Sequence, residues 1–324
     1  MRNKIILLFT LSLASLLHAA DLQILTEYRI NGIKNLEKKL DQELTKKEYW
    51  NRYLQNIDTT FGYFETYNNI LICNKTKSQL SLYKKNDKNK YILQKKYNAF
   101  TGKEQGDKKH EGDLKTPVGV YNIVQKLTKV DSFYGPMAFV TSYPNLYDKY
   151  QNKTGKGIWI HGLPIHKDRD NYTKGCIAIN NQNLKCLNND IDINQTVLII
   201  NENKFTAKTS KNKYSQLLSN LFQWRYAWIY NDLDSYLSFY NANFKRFDGM
   251  NLDMFKRYKK RIFKKKENKT IIFKNINITP YPNNENMYKI TFEELYKTKS
   301  YTYQGKKVLI VTSEDDHFHI ITER

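Results

Sequence analysis

The sequence predicts a mostly β domain joined to an α+β module, with a helical segment ahead of both. Three observations predict it. Apolar residues recur at spacings of three and four near the start, short β-type runs between polar turns fill the middle, and aromatic-rich helical patterns precede strand patterns at the end. A chain of 324 residues has room for about two domains, each large enough for its own core. Aromatic residues make up 14%, which argues for globular structure, and 6 Pro with 13 Gly exclude collagen-like and low-complexity architectures. With 3 Cys the chain cannot be a disulfide scaffold.

The first 20 residues, MRNKIILLFTLSLASLLHAA, run from basic Arg2 and Lys4 through the apolar stretch 5–17 to a small-residue cleavage site at Leu17-His18-Ala19. This is the layout of a secretory signal peptide, so 1–20 is expected to direct export and to be removed. No later apolar run approaches the ~18 residues that span a bilayer, so no membrane span is expected after cleavage. The net charge of +21 suits an anionic partner. For an exported chain that means wall glycopeptide, lipid headgroups or anionic glycans, and not nucleic acid. Part of the charge is compositional, because Lys and Asn are abundant throughout.

Segment 21–62 is predicted helical, from Leu22, Leu25, Ile33, Leu36, Leu40 and Leu44 with charges between them. Its apolar face needs cover, either from the neighbouring domain or from a second copy of the chain. Within 63–201 the period shortens. Runs at 81–84 and 91–93 read as a hairpin through Asn86-Asp87, and further strands are expected at 118–124, 137–141, 157–161, 176–179 and 196–200. Residues 202–216 are polar and basic and read as a linker. In 217–324, Leu221, Trp224, Trp228, Leu233, Tyr236, Leu237, Tyr240 and Phe244 stand at helical spacing, with Asp232 or Asp234 capping the second of two helices. Strand patterns follow at 270–278, 287–293, 300–303, 307–312 and 317–322, the last two as a closing hairpin.

The stretch GKGIWIHGLPIHKDRDNYTKGCIAINN carries the chemistry. One strand pattern ends at His161-Gly162, and another opens at Cys176 behind Thr173-Lys174-Gly175. Two adjacent strand ends can bring an imidazole and a thiol together. A thiol with pKa ~8.5 is only a few per cent thiolate near neutral pH, so a neighbouring imidazole must take its proton. The imidazole in turn needs an acceptor on its other ring nitrogen, and the Gly162 carbonyl is placed in sequence for that. Gly175 would expose backbone N–H groups to an oxyanion. A lone cysteine is commonly a small core residue, so the pattern draws its weight from context.

With HEGDLKTPVGVY upstream, the arrangement resembles the YkuD-type L,D-transpeptidase catalytic domain. Gly112, Asp113, Thr116, Pro117, Gly119 and Tyr121 match that family's first segment, His161 and Gly162 its His-Gly, and Thr173, Gly175 and Cys176 its Ser/Thr-His-Gly-Cys. The resemblance covers about 70–200. It implies a β-sandwich or barrel in which Cys176 is the nucleophile, His161 the general base and the Gly162 carbonyl its orienter. The backbone N–H of Cys176, with that of Gly175 or Lys174, would form the oxyanion hole. Thr173, Lys174 and His110 are candidate substrate contacts. Lys174 stands where the family usually has His, and Ala178 where Arg or Asn is usual. Lys174 is therefore a candidate to lower the thiol pKa or hold a substrate carboxylate, and the pocket should differ from that of the common cross-linking enzymes.

The last domain looks like the nuclear-transport-factor-2-like α+β cone, whose concave pocket implies a binding role. Tyr301, Tyr303 and Lys307 are its pocket candidates, for a glycan or anionic ligand. The whole organisation resembles the periplasmic cell-shape-determining L,D-carboxypeptidases of helical Gram-negative bacteria, which trim peptidoglycan tetrapeptide stems to tripeptides. That implies a periplasmic enzyme and a homodimer formed through the N-terminal segment. An L,D-transpeptidase making 3-3 cross-links shares the chemistry up to the acyl-enzyme. A non-catalytic wall-binding scaffold is the reading from another class, and intact Cys176 and His161 argue against it. No cofactor is expected, and no ligand spacing suggests a metal. Cys73 in a strand and Cys186 in a short helix read as core, with a bridge between them left open.

Overall fold

In the computed structural model the middle of the chain closes into an eight-stranded barrel, and its end builds a five-stranded antiparallel sheet packed against helices. The structure describes residues 2–165, 170–203, 205 and 209–324, with side chains from residue 22 onward. The side chains of the expected leader, and His166, lie outside the described residues.

The N-terminal segment forms α1 (Arg2–Leu44) and α2 (Lys47–Tyr53). The backbone of α1 leaves helical geometry at Gly32, whose φ of 73° favours glycine. Most of the cover for this segment comes from the last domain. Trp50 and Leu54 are buried in that domain's core beside Tyr214, Leu218 and Phe222, and Asp41 pairs with Arg225 at 2.8 Å. Leu22, Leu25, Tyr28, Ile30 and Ile33 of α1 remain more than half exposed.

The next strand corrects the expected boundary at 63. β1 (Tyr63–Phe64) pairs with the first strand of the C-terminal sheet, so the barrel starts one strand later. Its strands are β2 (Asn69–Asn74), β3 (Gln79–Lys85), β4 (Tyr91–Phe100), β5 (Gly119–Leu127), β6 (Ala138–Thr141), β7 (Trp159–His161), β8 (Ile177–Ile179) and β9 (Thr196–Asn201). They run round the barrel in the order β2-β3-β4-β8-β7-β6-β5-β9, and only β2–β9 and β7–β8 are parallel pairs. NILICN in β2 and TVLIIN in β9 are apolar without alternation because both faces are covered. Leu71 and Leu198 fill the barrel, whereas Ile70, Ile72, Val197 and Ile199 pack on Phe64, Tyr281 and Ile310 of the C-terminal sheet and its edge. Two short helices interrupt the barrel strands, α3 (Leu146–Tyr150) behind an Asn145–Asp148 capping box and against the C-terminal sheet, and α4 (Asn181–Asp190) directly after β8. Cys186 lies on α4 and Cys73 on β2, and both are free thiols.

Helix α5 (Lys211–Ile229) begins inside the span expected as linker. Ser210 caps it by accepting from the Lys213 N–H, and Tyr214, Leu217, Leu218 and Leu221 bury one face. Asp232 caps α6 (Leu233–Leu237), as its side-chain chemistry suggested. Helix α7 (Leu252–Phe263) was not expected, because a dense run of cations masks the inward stripe of Phe255 and Phe263. The sheet then forms from β10 (Thr270–Pro280), β11 (Met287–Lys297), β12 (Thr302–Thr312) and β13 (His319–Glu323), with β1 on the edge. The two runs expected at 300–303 and 307–312 are a single strand, since Gly305 stays in register opposite Glu294.

Candidate active site

β7 and β8 are short, adjacent and parallel, with Ile160 opposite Ile177 and His161 opposite Ala178. Continuing that register one step places Cys176 level with Trp159. Side chains alternate faces along a strand, so Cys176 and His161 share a face one diagonal step apart.

His161 is 1% exposed, and its Nδ1 lies 2.7 Å from the Gly162 carbonyl oxygen. A carbonyl can only accept, so Nδ1 carries the proton and Nε2 keeps its lone pair. The ring stands edge-on to Tyr134, with centroids 5.0 Å apart. The chain leaving the imidazole is clamped. Gly162 N–H donates to the Tyr134 carbonyl at 2.9 Å. The Asn181 amide accepts from Leu163 N–H at 2.8 Å and donates to the Leu163 carbonyl at 3.0 Å. A Cβ on Gly162 would stand 2.1 Å from Asn181 Oδ1, so any side chain here would displace that amide from its grip on Leu163.

Cys176 is half-buried. Its sulfur lies 3.4 Å from the Trp159 N–H, which donates to it, and 3.4 Å from the Gly157 carbonyl. The loop ahead of it is tied by Thr173, whose hydroxyl donates to the Cys176 carbonyl at 2.6 Å and accepts from Gly175 N–H at 2.9 Å. Gly175 therefore gives its N–H to this turn, not to an oxyanion as expected. Gly175 holds φ at 131°, and a Cβ there would meet the Lys115 carbonyl at 2.8 Å.

Lys115 belongs to the matched upstream segment, which shapes this wall. Asp113 accepts from the N–H groups of Lys109, His110 and Lys115 and from Lys108 Nζ. Partial burial pushes the Asp113 carboxyl up, but Lys108 and the three N–H groups hold it well below the usual carboxylate range. Thr116 is fully buried and accepts from Gly102 N–H at 2.8 Å, while Thr173 N–H donates to the Thr101 carbonyl at 2.8 Å. His110 contributes main-chain atoms to this turn, and the side chains of His110 and Lys174 are exposed. Burial pushes the Cys73 thiol up to about 12, which suits a core role.

Tyr301, Tyr303 and Lys307 do meet, lining a cavity of about 810 Å³ in the C-terminal domain. Sequence reasoning missed its buried charges, Glu323, Glu294 and Lys259, which are 2%, 3% and 6% exposed. The Lys259 ammonium lies 4.5 Å from the Trp228 ring and 4.9 Å from that of Tyr236. Burial pulls its pKa down to about 8, against the attraction of Glu323, and burial pushes the Glu294 carboxyl up. The signal for Lys259 was its place between Phe255 and Phe263, four residues from each, on an inward helical stripe. Among the described residues no cluster of three His, Cys, Asp or Glu is placed to hold a metal.

Comparison with known proteins identifies both domains. The L,D-transpeptidase catalytic domain, YkuD, matches residues 68–200, and the Cds6 C-terminal NTF2-like domain matches residues 216–324. The helical cell shape determining protein Pgp2 from Campylobacter jejuni is 40% identical, its structure covering 86% of this chain and 99% of its own with a TM-score of 0.79. A substituted form of Pgp2 superposes at a TM-score of 0.81 over 87% of this chain and 99% of that one. Bd1075 from Bdellovibrio bacteriovorus is 28% identical over 82% of this chain and 96% of its own, at a TM-score of 0.65. YafK of Escherichia coli strain K12, assigned by name to the L,D-transpeptidases, is 35% identical over 79 residues. That match spans 24% of this chain and 29% of YafK.

Proposed function

This chain belongs to the L,D-transpeptidase (YkuD) family, in the group that also carries a Cds6-type NTF2-like domain, and from that premise we propose that it is an exported peptidoglycan L,D-carboxypeptidase. The register of β7 and β8 supports this reading most directly, because it sets a thiol and a tautomer-locked imidazole on one face. The similarity to Pgp2, a helical cell shape determining protein, supports a role in helical cell shape.

His161 Nε2 takes the proton of the Cys176 thiol, and the thiolate attacks the carbonyl between meso-diaminopimelate and terminal D-alanine in a tetrapeptide stem. The oxyanion is held by the N–H groups of Lys174 and Cys176. The tetrahedral intermediate collapses to a thioester, and D-alanine leaves with the proton from His161. Water, deprotonated by His161, then hydrolyses the thioester to release a tripeptide stem and regenerate the thiol. Cross-linking to give 3-3 bonds is the second reading, favoured by the match to YafK, with a stem amine replacing that water. Around this centre, residues 1–20 direct export to the periplasm, the exposed face of α1 pairs with a second copy, and the Tyr301–Tyr303–Lys307 cavity holds a glycan or anionic part of the wall.

The test is to incubate the purified protein with disaccharide-tetrapeptide and with tetrapeptide dimers and to identify products by mass. Tripeptide with free D-alanine is expected, and Cys176→Ala should abolish it. Products dominated by 3-3 dimers would replace trimming with cross-linking. Turnover that survives Cys176→Ala would remove the nucleophile, and no turnover at all would leave a wall-binding scaffold.

A further inference from the structure

Helix α7 and the turn after it carry a density of charge of which only Lys259 and Lys265 line the C-terminal cavity. Eight of the eleven residues in 256–266 are Lys or Arg, against 53 in 324 for the chain, so general lysine richness does not account for it. Seven of the eight are exposed: Lys256, Arg257, Lys260, Arg261, Lys264, Lys265 and Lys266. None of the seven has a carboxylate within ion-pair distance among the described residues. They face solvent because Phe255, Lys259 and Phe263 face inward, and 256, 257, 260, 261 and 264 fall at spacings of three and four on one stripe.

Beside the stripe lies a groove of about 500 Å³. Met250, Met254 and Tyr258 supply its apolar lining, and Arg257, Lys260 and Arg261 its charge. Met254 is 48% exposed, and nearby Phe247 is 57% exposed. A purely ionic ligand would use the cations and leave these carbons wetted. An amphiphile with an anionic head uses both.

We propose that the outward side of α7 is a docking surface for an anionic phospholipid bilayer. The cations meet headgroup phosphates, and Met254 with its groove receives the adjoining glycerol and acyl carbons. The surface would hold the exported protein at the membrane face without a spanning segment, and it stands apart from the Cys176 centre, so it does not depend on the reaction proposed there.

The test is co-sedimentation of the purified chain, without residues 1–20, on phosphatidylglycerol vesicles and on phosphatidylcholine vesicles, at low and high salt. The expected result is binding to phosphatidylglycerol at least about tenfold tighter than to phosphatidylcholine and weakened by salt. Arg257→Glu, Lys260→Glu and Arg261→Glu combined should lower it at least about tenfold, with peptide hydrolysis and melting unchanged. The Gln versions of the three serve if charge reversal perturbs folding. Met254→Asp should weaken binding severalfold. Equal binding to the two vesicles, or indifference to the triple change, overturns the proposal. So does binding to isolated peptidoglycan sacculi, sensitive to the triple change, with none to vesicles. Indifference to Met254→Asp overturns the apolar half of the contact.

Discussion

Asn181 positions the strand end that carries His161, the proposed base, through the main chain of Leu163. Its amide grips both main-chain groups of Leu163, two residues beyond His161, while Gly162 and Gly135 leave the space it occupies. Removing the amide frees the strand end, and displacements of about 1 Å cost on the order of 100-fold in rate. Asn181→Ala is therefore expected to lower kcat about 10- to 100-fold with KM little changed, as read by steady-state kinetics. An unchanged kcat would show that Gly162 and Tyr134 suffice. Thr173 makes a parallel case on the thiol side, because one hydroxyl serves both Gly175 N–H and the Cys176 carbonyl. Thr173→Ser keeps that hydroxyl and should retain most activity, whereas Thr173→Val leaves two buried polar groups unpaired, at about 1–3 kcal/mol each, and should lose most of it. Steady-state kinetics on disaccharide-tetrapeptide separates the two.

At the level of elements, the N-terminal helices act first as part of the C-terminal domain. Trp50 is 5% exposed among aromatic neighbours, and its indole N–H donates to the Leu44 carbonyl at 2.7 Å. Trp50→Ala should cost about 3–5 kcal/mol, measured as a fall in the midpoint of denaturant unfolding. The exposed Leu25, Ile30 and Ile33 of α1 make a different prediction. If they meet a second copy, Ile33→Asp converts a dimer to a monomer in sedimentation analysis without shifting that midpoint. Which elements were legible in the sequence follows from how local their causes are. The barrel strands and the Asp232 cap rest on short-range patterns, and each is found where the pattern put it; the proposed pairing of His161 with Cys176 rests on the same kind of pattern, one residue at the end of β7 and the other just ahead of β8. The strand β1 is not legible, and the boundary at 63 puts its residues with the barrel, because its partner, β10, lies two hundred residues away. Asn181 was invisible because its role comes from neighbours that only the closed barrel supplies, and the inward place of Lys259 between two phenylalanines does not by itself reveal the cavity it lines. Helix α7 was hidden by its own charge, since its inward stripe is two phenylalanines wide.

Across the whole molecule, the two domains share a buried seam. Lys289 reaches from β11 to donate to the Val120 carbonyl at 3.1 Å and to Asn122 Oδ1 at 3.3 Å, and Asn145 donates to the Tyr281 hydroxyl at 3.0 Å. Val120 and Ile310 lie in one apolar cluster with Ile70 and Ile199. Such a seam couples the halves, so a single unfolding transition is expected by calorimetry. It also sets a pH dependence. Burial pulls the pKa of Lys289 down to about 8, with Asp148 opposing, as burial does for Lys259. An unfolded lysine keeps its proton up to pH ~10.4, so between about 8 and 10 the unfolded chain binds more protons than the folded one, and stability rises with pH. Above about 10 the sign reverses. Burial holds the hydroxyls of Tyr121, Tyr236, Tyr240 and Tyr281 well above their ordinary value, so the folded chain then keeps protons that the unfolded one loses. The melting temperature of this basic protein should therefore climb from pH 7.5 to a maximum near 10 and then fall. Lys289→Met removes one buried ammonium while keeping most of its volume, and it should flatten the climb and raise stability at pH 7.5. A variant whose curve runs parallel to that of the parent would show that the Lys289 ammonium is not titrating in the folded seam.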